Sequence, residues 1–329
     1  MTTTVPMGVT FGSLGVLGPA AVPDIAQQAQ SMGYTSFWTV EATGTDAMTL
    51  LGAASQAAPG LELGTGIIPV QLRTPQLTAM SAVTLQSLSP GADVLLGVGV
   101  SAPGILKQHS IDITDKPIGY MREYVTLLRE ILSGESVTFE GDYFNVKRFR
   151  LGLRLPERRP KIIMAALNPQ MLKLAGEIAD GVLLNYIPVS EIGPSIAQVR
   201  NGGDATIYAY VHACVGELAQ SAGSARRDLF NYAMADGYAN MFRRAGFEDE
   251  VNELRERFAA KDRDGAVDAI SDRMVQAIDF IGSEQEVTDF MRQNIEAGIE
   301  HPVLMPMPWG EDRRAVADST MQAAVAAAR

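Results

Sequence analysis

Eight times along this chain a short run of apolar and β-branched residues gives way to a longer stretch with helical spacing, and nothing else in the sequence constrains the fold as strongly. Strands that alternate with helices pair in parallel, because each helix carries the chain back to the start of the next strand. The strand runs cover residues 5–11, 36–40, 61–67, 92–98, 161–166, 182–185, 206–215 and 302–305. Residues 92–98 are almost continuously apolar, as suits a parallel strand buried on both faces. The helical spacing is clearest after Pro117. Ile118, Met121, Val125, Leu128 and Leu132 recur every three or four residues, while Arg122, Glu123, Arg129 and Glu130 take the wet side. Two stretches break the rhythm. Residues 136–160 alternate around Gly141-Asp142 and read as a hairpin excursion, and residues 221–281 read as a charged helical insertion between strands seven and eight. Eight strands in eight βα steps predict an α/β fold, a closed (β/α)8 TIM barrel rather than a doubly wound sheet, with residues 1–329 as one domain.

Composition excludes several functions. The chain has 27 Lys and Arg against 38 Asp and Glu, a net charge of −11, with no basic stripe to neutralise the phosphates of a nucleic acid. Its single cysteine, Cys214, rules out an intrachain disulfide and a multi-thiolate zinc cluster. His109, His212 and His301 lie far apart with no paired metal-ligand spacing, so no metal is expected. The beginning, MTTTVPMGVTF, has no charged region followed by a long apolar run, and no 18-residue apolar stretch occurs. A cytoplasmic protein with no membrane partner is the expectation.

In a barrel of this kind the reacting groups sit at the C-terminal ends of the strands. That restricts the candidates to Thr10 and Phe11, Val40 and Glu41, Thr65 to Ile67, Gly97 to Ser101, Ala165 to Asn168, Asn185, His212 and Met305. Few of these are acids or bases, and no Ser-His-Asp set, HExxH helix or Walker loop is present. Such a pocket points to a bound cofactor that carries the chemistry. The glycines of Gly64-Thr65-Gly66-Ile67 and Gly97-Val98-Gly99 either let backbone approach a flat ligand or permit tight turns. Ala165-Ala166-Leu167-Asn168-Pro169 ends a strand in small residues and opens a helix at once; its free N–H groups either hold a phosphate or are simply well capped by Asn168. Glu41 is a lone carboxylate that either relays protons or caps the helix starting near Asp46. His212 and His109 are each read as a satisfied structural histidine or a catalyst. His301 falls on the opposite rim and reads as structural, and Arg73 reads as a residue that orders its loop.

At these same strand ends the sequence resembles the bacterial luciferase-like family, in its branch of oxidoreductases that use the deazaflavin coenzyme F420. The matching stretches are residues 37–55 (FWTVEATGTDAMTLLGAAS), residues 61–104 with GTGI, R-x-P, LSPG and G-x-G in that order, and residues 162–189 with AALNPQM and AGEIADGVLLN. The resemblance implies hydride transfer between the deazaflavin and a small organic substrate. Its alternatives are an FMN-dependent monooxygenase fed by a partner reductase, or a non-catalytic flavin-binding protein. It further implies a ring seated against strand three beside a non-prolyl cis peptide at Gly66-Ile67, with Gly97, Gly99 and Ser101 flanking the ring. Phe11, Thr65 and Glu41 would lie near the ring, the phosphate over Ala165, Ala166, Leu167 and Asn168, and any proton delivery would fall to Glu41 or His109. Relatives of this branch are commonly homodimers. Where they carry an aromatic residue and a Trp-His pair, this chain has Thr43 and SAPGILKQHSI, so its substrate side is altered.

Overall fold

The computed structural model describes residues 5–112 and 116–328. Eight parallel strands form the barrel: β1 (Gly8–Thr10), β2 (Ser36–Thr39), β3 (Glu62–Thr65), β4 (Val94–Gly99), β5 (Lys161–Ala165), β6 (Gly181–Leu184), β7 (Thr206–Val215) and β8 (His301–Pro306). Each pairs with its neighbour in sequence, and β8 closes the ring by pairing Val303 and Leu304 with Gly8 and Val9 of β1. The expected TIM barrel is the observed architecture. No helix among the described residues is long and apolar enough to cross a membrane.

Three boundaries differ from the sequence reading. The run at 61–67 divides: β3 stops at Thr65, the Gly66–Ile67 peptide is cis, and Ile68–Pro69 then pairs with Val98 and Gly99 of β4. β1 is only three residues long. The insertion is helical from Leu218 to Ile278 but ends in a strand, Asp279–Gly282, that lies parallel to β7 with His212 opposite Asp279. The ten-residue β7 overshoots the barrel, and its protruding backbone groups need partners, which this segment supplies together with Thr320, whose hydroxyl accepts the Val215 N–H (2.9 Å). The hairpin is present, with Val137–Glu140 antiparallel to Asn145–Phe149. Glu123 is not on a wet face: its carboxylate accepts the backbone N–H groups of Asp142 (2.9 Å), Tyr143 (2.9 Å) and Phe144 (3.3 Å) and so holds the hairpin turn.

Most of the core lies between the barrel and its helices, where Ile25, Leu51, Val83, Val125 and Leu172 back onto the outward side chains of the strands. The barrel interior is a second core built on aromatic rings. Trp38 is fully buried, with Tyr208 and Tyr210 at centroid distances of 5.6 and 6.3 Å. Its indole N–H donates to Ser36 Oγ (2.8 Å), which in turn contacts His301 Nε2 (3.0 Å), and His301 stacks on Tyr208. Rings this large fit only if neighbouring strands present nothing. A Cβ on Gly64 would lie 2.2 Å from the Trp38 ring, and one on Gly66 1.8 Å from the Tyr210 hydroxyl. The rim glycines read as turn or ligand positions thus have a third cause, which is room for interior rings.

Gly64→Ala is therefore expected to destabilise the fold by about 1–3 kcal/mol through overpacking. Gly52→Ala, in helix Ala47–Ala57 with open space around it, should be neutral or stabilising. Urea denaturation of the two variants checks the contrast. Burial, with help from Lys161, lowers His301 from the ordinary 6.5 to about 4. The folded state thus resists a proton that the unfolded chain accepts, so stability present above pH 6.5 is lost as pH falls toward 4. The loss is worth up to about 3 kcal/mol at this site. The difference between wild-type and His301→Gln stability should shrink over that window, and a difference independent of pH would refute the assignment.

Candidate functional site

The C-terminal mouth of the barrel holds a cavity of about 410 Å³. Its floor is Tyr210 and Leu183, side chains of β7 and β6 that cap the aromatic interior. One wall is the bend after β3, Gly66 and Ile67. A second is the segment after β4, from Val100 to Pro103, and a third is the end of β5, from Ala165 to Asn168. The fourth wall comes from the helical insertion, whose residues Ala235 to Tyr238 line the cavity. Sequence reasoning kept this insertion out of the site. The only signal available was the small-residue run Met234-Ala235-Asp236-Gly237 between two helical patterns, and nothing in it specifies where it packs.

Of the residues expected to bind a cofactor, the structure brings Gly66, Ile67, Ser101, Ala165, Ala166, Leu167 and Asn168 together on this cavity. The others do not line it. Phe11 is 2% exposed and packs in the core between barrel and helices. Thr65 turns its hydroxyl to the Gly97 carbonyl (2.8 Å). Gly97 is small because a Cβ there would lie 1.7 Å from the Thr65 carbonyl oxygen, and Gly99 faces Ile67 and Ala165. These residues shape the cavity from behind.

Asn168 occupies the N-cap position of helix Pro169–Ile178, but its side chain makes no capping bond. It turns outward, donating to the Gly237 carbonyl (3.3 Å) and accepting from Arg244 (2.9 Å), while Arg244 also donates to the Leu167 carbonyl (3.0 Å). The first N–H groups of the helix are left without that side-chain acceptor, and a guanidinium stands beside them. A helix N-terminus and an arginine together favour an anion. Arg244 belongs to the insertion and had no sequence signal of its own.

Among the described residues that line the cavity, only Asp236, Tyr210 and Tyr238 are ionisable. Asp236 is mostly exposed and paired with Arg255 (2.8 Å). Burial pushes Tyr238 up to about 12 against the opposing hydrogen bond of Asn185, and burial raises Tyr210 further. Both phenols stay protonated at neutral pH, and neither can act as a base there. Asn185 is held by Tyr238 (3.1 Å) on one side and by buried His212 (2.9 Å) on the other. The cavity can bind and orient a flat, largely apolar molecule with an anionic end, but it has little capacity for proton transfer.

Glu41 and His109 lie elsewhere, in a neighbouring cleft with Thr43, Asp46, Leu72 and Arg73. Glu41 is committed there. It accepts both Nε (2.8 Å) and an NH2 group (2.9 Å) of Arg73 and the backbone N–H of Ala47 (3.2 Å). Arg73 also bonds Asp46, whose side chain caps helix Ala47–Ala57. The reading of Arg73 as a residue that orders its loop and the reading of Glu41 as a cap for the helix near Asp46 agree with this geometry. His109 is exposed, with Nε2 2.7 Å from the Ala42 carbonyl.

The sequence matches the model of the luciferase-like monooxygenase family over residues 5–301. It is 29% identical over 268 residues to the 5,10-methylenetetrahydromethanopterin reductase of Archaeoglobus fulgidus, covering 77% of this chain and 79% of that one. Among solved structures, the coenzyme F420-dependent tetrahydromethanopterin reductase of Methanopyrus kandleri superposes with a TM-score of 0.79 at 20% identity, over 99% of both chains. An F420-dependent secondary alcohol dehydrogenase in complex with an F420-acetone adduct gives 0.76 at 17% identity, again over 99% of both. The two superpositions concern the fold.

The Glu41–Arg73 pair predicts that Glu41→Gln lowers stability by about 1–3 kcal/mol, because Arg73 loses a charged acceptor in a half-buried cleft. Turnover by the folded variant should change less than about twofold, since the carboxylate lies outside the cavity. A tenfold fall in turnover at unchanged stability would make Glu41 a catalytic group after all.

Proposed function

Because this chain belongs to the luciferase-like monooxygenase family, we propose that it is an oxidoreductase whose cavity holds coenzyme F420 and brings it against a small organic substrate. The observation that carries this reading is the cavity itself: small residues from three strand ends face one space, and that space ends at an uncapped helix N-terminus beside Arg244. A planar ring needs walls without side chains, and a phosphate tail needs N–H groups and a cation. The walls of the cavity meet the first requirement, and its Asn168 edge, where Arg244 bonds Asn168 and Leu167, meets the second, so the residues present fit the group. Bound there, the deazaflavin would supply two-electron chemistry, accepting or donating hydride at its C5 carbon.

The chain's own residues do the rest. Gly66, Ile67, Ala165 and Ala166 would support the ring, and Asn168, Arg244 and the start of helix Pro169–Ile178 would hold the phosphate. Tyr238 and Asn185 offer fixed polar groups to the substrate or the ring edge. The insertion segment from Ala235 to Tyr238 lines the cavity and would shield a bound cofactor from water on that side. Orientation of two reactants in a dry space is the catalytic contribution expected of a site with no general base. The substrate side, from Ser101 to Ile111, departs from the pattern of F420 relatives, so the substrate is set by this chain's own loop. We read the working form as a homodimer, supported by Leu77, Met80 and Leu88, which lie exposed on helix Pro75–Leu88.

Titration of the purified protein with oxidised F420 and with FMN, followed by fluorescence, tests the proposal. F420 should saturate one site per chain and FMN should bind at least about tenfold more weakly. Ala165→Leu should abolish binding by filling the cavity, and Arg244→Met should weaken it about tenfold through loss of a charge-assisted contact. Tight FMN binding without F420 binding would reverse the choice of cofactor in favour of a flavin monooxygenase. A bound cofactor that no donor reduces would mark a non-catalytic binding protein.

A further inference from the structure

A second group of ionisable side chains lies behind the cavity wall, apart from the residues assigned to the cofactor. His212 of β7 is 1% exposed, and Asp279, opposite it on the added strand, is wholly buried. Asp228 reaches them from helix Leu218–Ala233, and one ligand atom from each of the three residues lies within 4.8 Å of the other two. The neighbours decide the tautomer of His212. Asn185 Oδ1 accepts the backbone N–H of Tyr186 (3.1 Å), which identifies it as the oxygen of that amide. His212 Nε2, 2.9 Å from the same oxygen, must therefore carry the ring proton and donate it there. Nδ1 is left with a lone pair.

That lone pair faces another acceptor, Asp279 Oδ1, at 3.0 Å. The other oxygen, Asp279 Oδ2, is buried and has no hydrogen-bond partner. Asp228 is acidic as well, and accepts the Tyr186 hydroxyl (2.7 Å). Among the described residues no lysine or arginine pairs with either carboxylate; Arg313 lines the cleft outside Asp228 but forms no ion pair with it. An imidazole nitrogen and two carboxylates thus converge with no N–H between them, an arrangement that is costly unless protons or a cation neutralise it.

We propose that His212 Nδ1, Asp228 and Asp279 form a binding site for one divalent first-row transition cation of the Zn²⁺ or Mn²⁺ class. One imidazole and two carboxylates suit these ions, whereas Ca²⁺ and Mg²⁺ favour shells made of oxygen. The second imidazole N–H, donated to the Asn185 carbonyl, is the outer contact that ligating histidines usually make. With its proton on Nε2, the imidazole presents the Nδ1 lone pair to the two carboxylates. A separate cleft of about 310 Å³, lined by Ser13, Ser224, Asp228 and Trp309, gives an entry route to Asp228. The cation would fix His212, and through it Asn185, which lines the cavity. Its role is positioning, since it touches neither ring nor substrate.

The test needs no cofactor, so its outcome is separate from that of the F420 proposal. Full-length protein stripped of metal is titrated with ZnCl₂ or MnCl₂ alone by calorimetry, and retained metal is counted by elemental analysis after desalting. One equivalent per chain should bind and raise the melting temperature. Asp279→Asn and Asp228→Asn should each weaken binding by at least about tenfold. Asp228 lies at the edge of the group, so Asp228→Asn is expected to keep the circular dichroism of the stripped wild type, and a misfolded Asp279→Asn cannot then account for the result. Failure of both cations to bind stoichiometrically overturns the site, as does uptake that Asp228→Asn leaves unchanged. The two carboxylates would then share protons instead.

Discussion

The packing of Trp38, Tyr208 and Tyr210 inside the barrel is the constraint on which the remaining structure rests. Eight strands enclose a space that side chains must fill, and here three aromatic rings fill its middle. Each ring takes the volume that a neighbouring strand would otherwise use, which is why Gly64 and Gly66 carry no side chain. The Trp38 indole N–H is satisfied in a chain through Ser36 to His301, and the Tyr210 hydroxyl donates to Thr10 Oγ1 (3.4 Å). Below this layer the barrel is solid, and above it lies the cavity. Tyr210 belongs to both, as the top of the core and the floor of the site.

That division explains the chemistry of the cavity. The strands present small residues at the mouth, and the protonated phenols of Tyr210 and Tyr238 are the main polar groups facing inward. A site of this kind cannot drive a reaction by acid and base alone, and it suits a ligand that brings its own reactivity. The helical insertion matters as much as the barrel rim. It supplies the cavity wall at Ala235 to Tyr238, Arg244 beside the helix N-terminus, and the carboxylates of Asp228 and Asp279. Barrel and insertion meet at Asn185 and His212, so a change in the packing of one is felt at the other.

Residues with local causes were legible in the sequence. The strand at 206–215 could be read to the residue because it is a long β-branched and aromatic run bounded by Asp204 and Gly216. The helix after Pro117 followed from its apolar stripe, and the wall formed by Ala165 to Asn168 followed from a strand ending directly at Asn-Pro. Residues whose role depends on a distant partner were left open or misread. The two readings of Glu41, proton relay or helix cap, stayed open in the sequence because Arg73, 32 positions away, has no sequence mark as its partner. Glu123 looked solvated because the hairpin folds back onto it, and Asp279–Gly282 looked helical because only the overshoot of β7 makes it a strand.

Hydrophobic period and helix punctuation act over a few residues, so the amino-acid order alone determined the eight βα units and the closed barrel. Tertiary structure decided which rim residues face the cavity, that Tyr238 joins it with Arg244 bonded to its Asn168 edge, and that His212, Asp228 and Asp279 meet. Those choices turn on where side chains from separate units converge in three dimensions, and no spacing along one unit encodes that convergence.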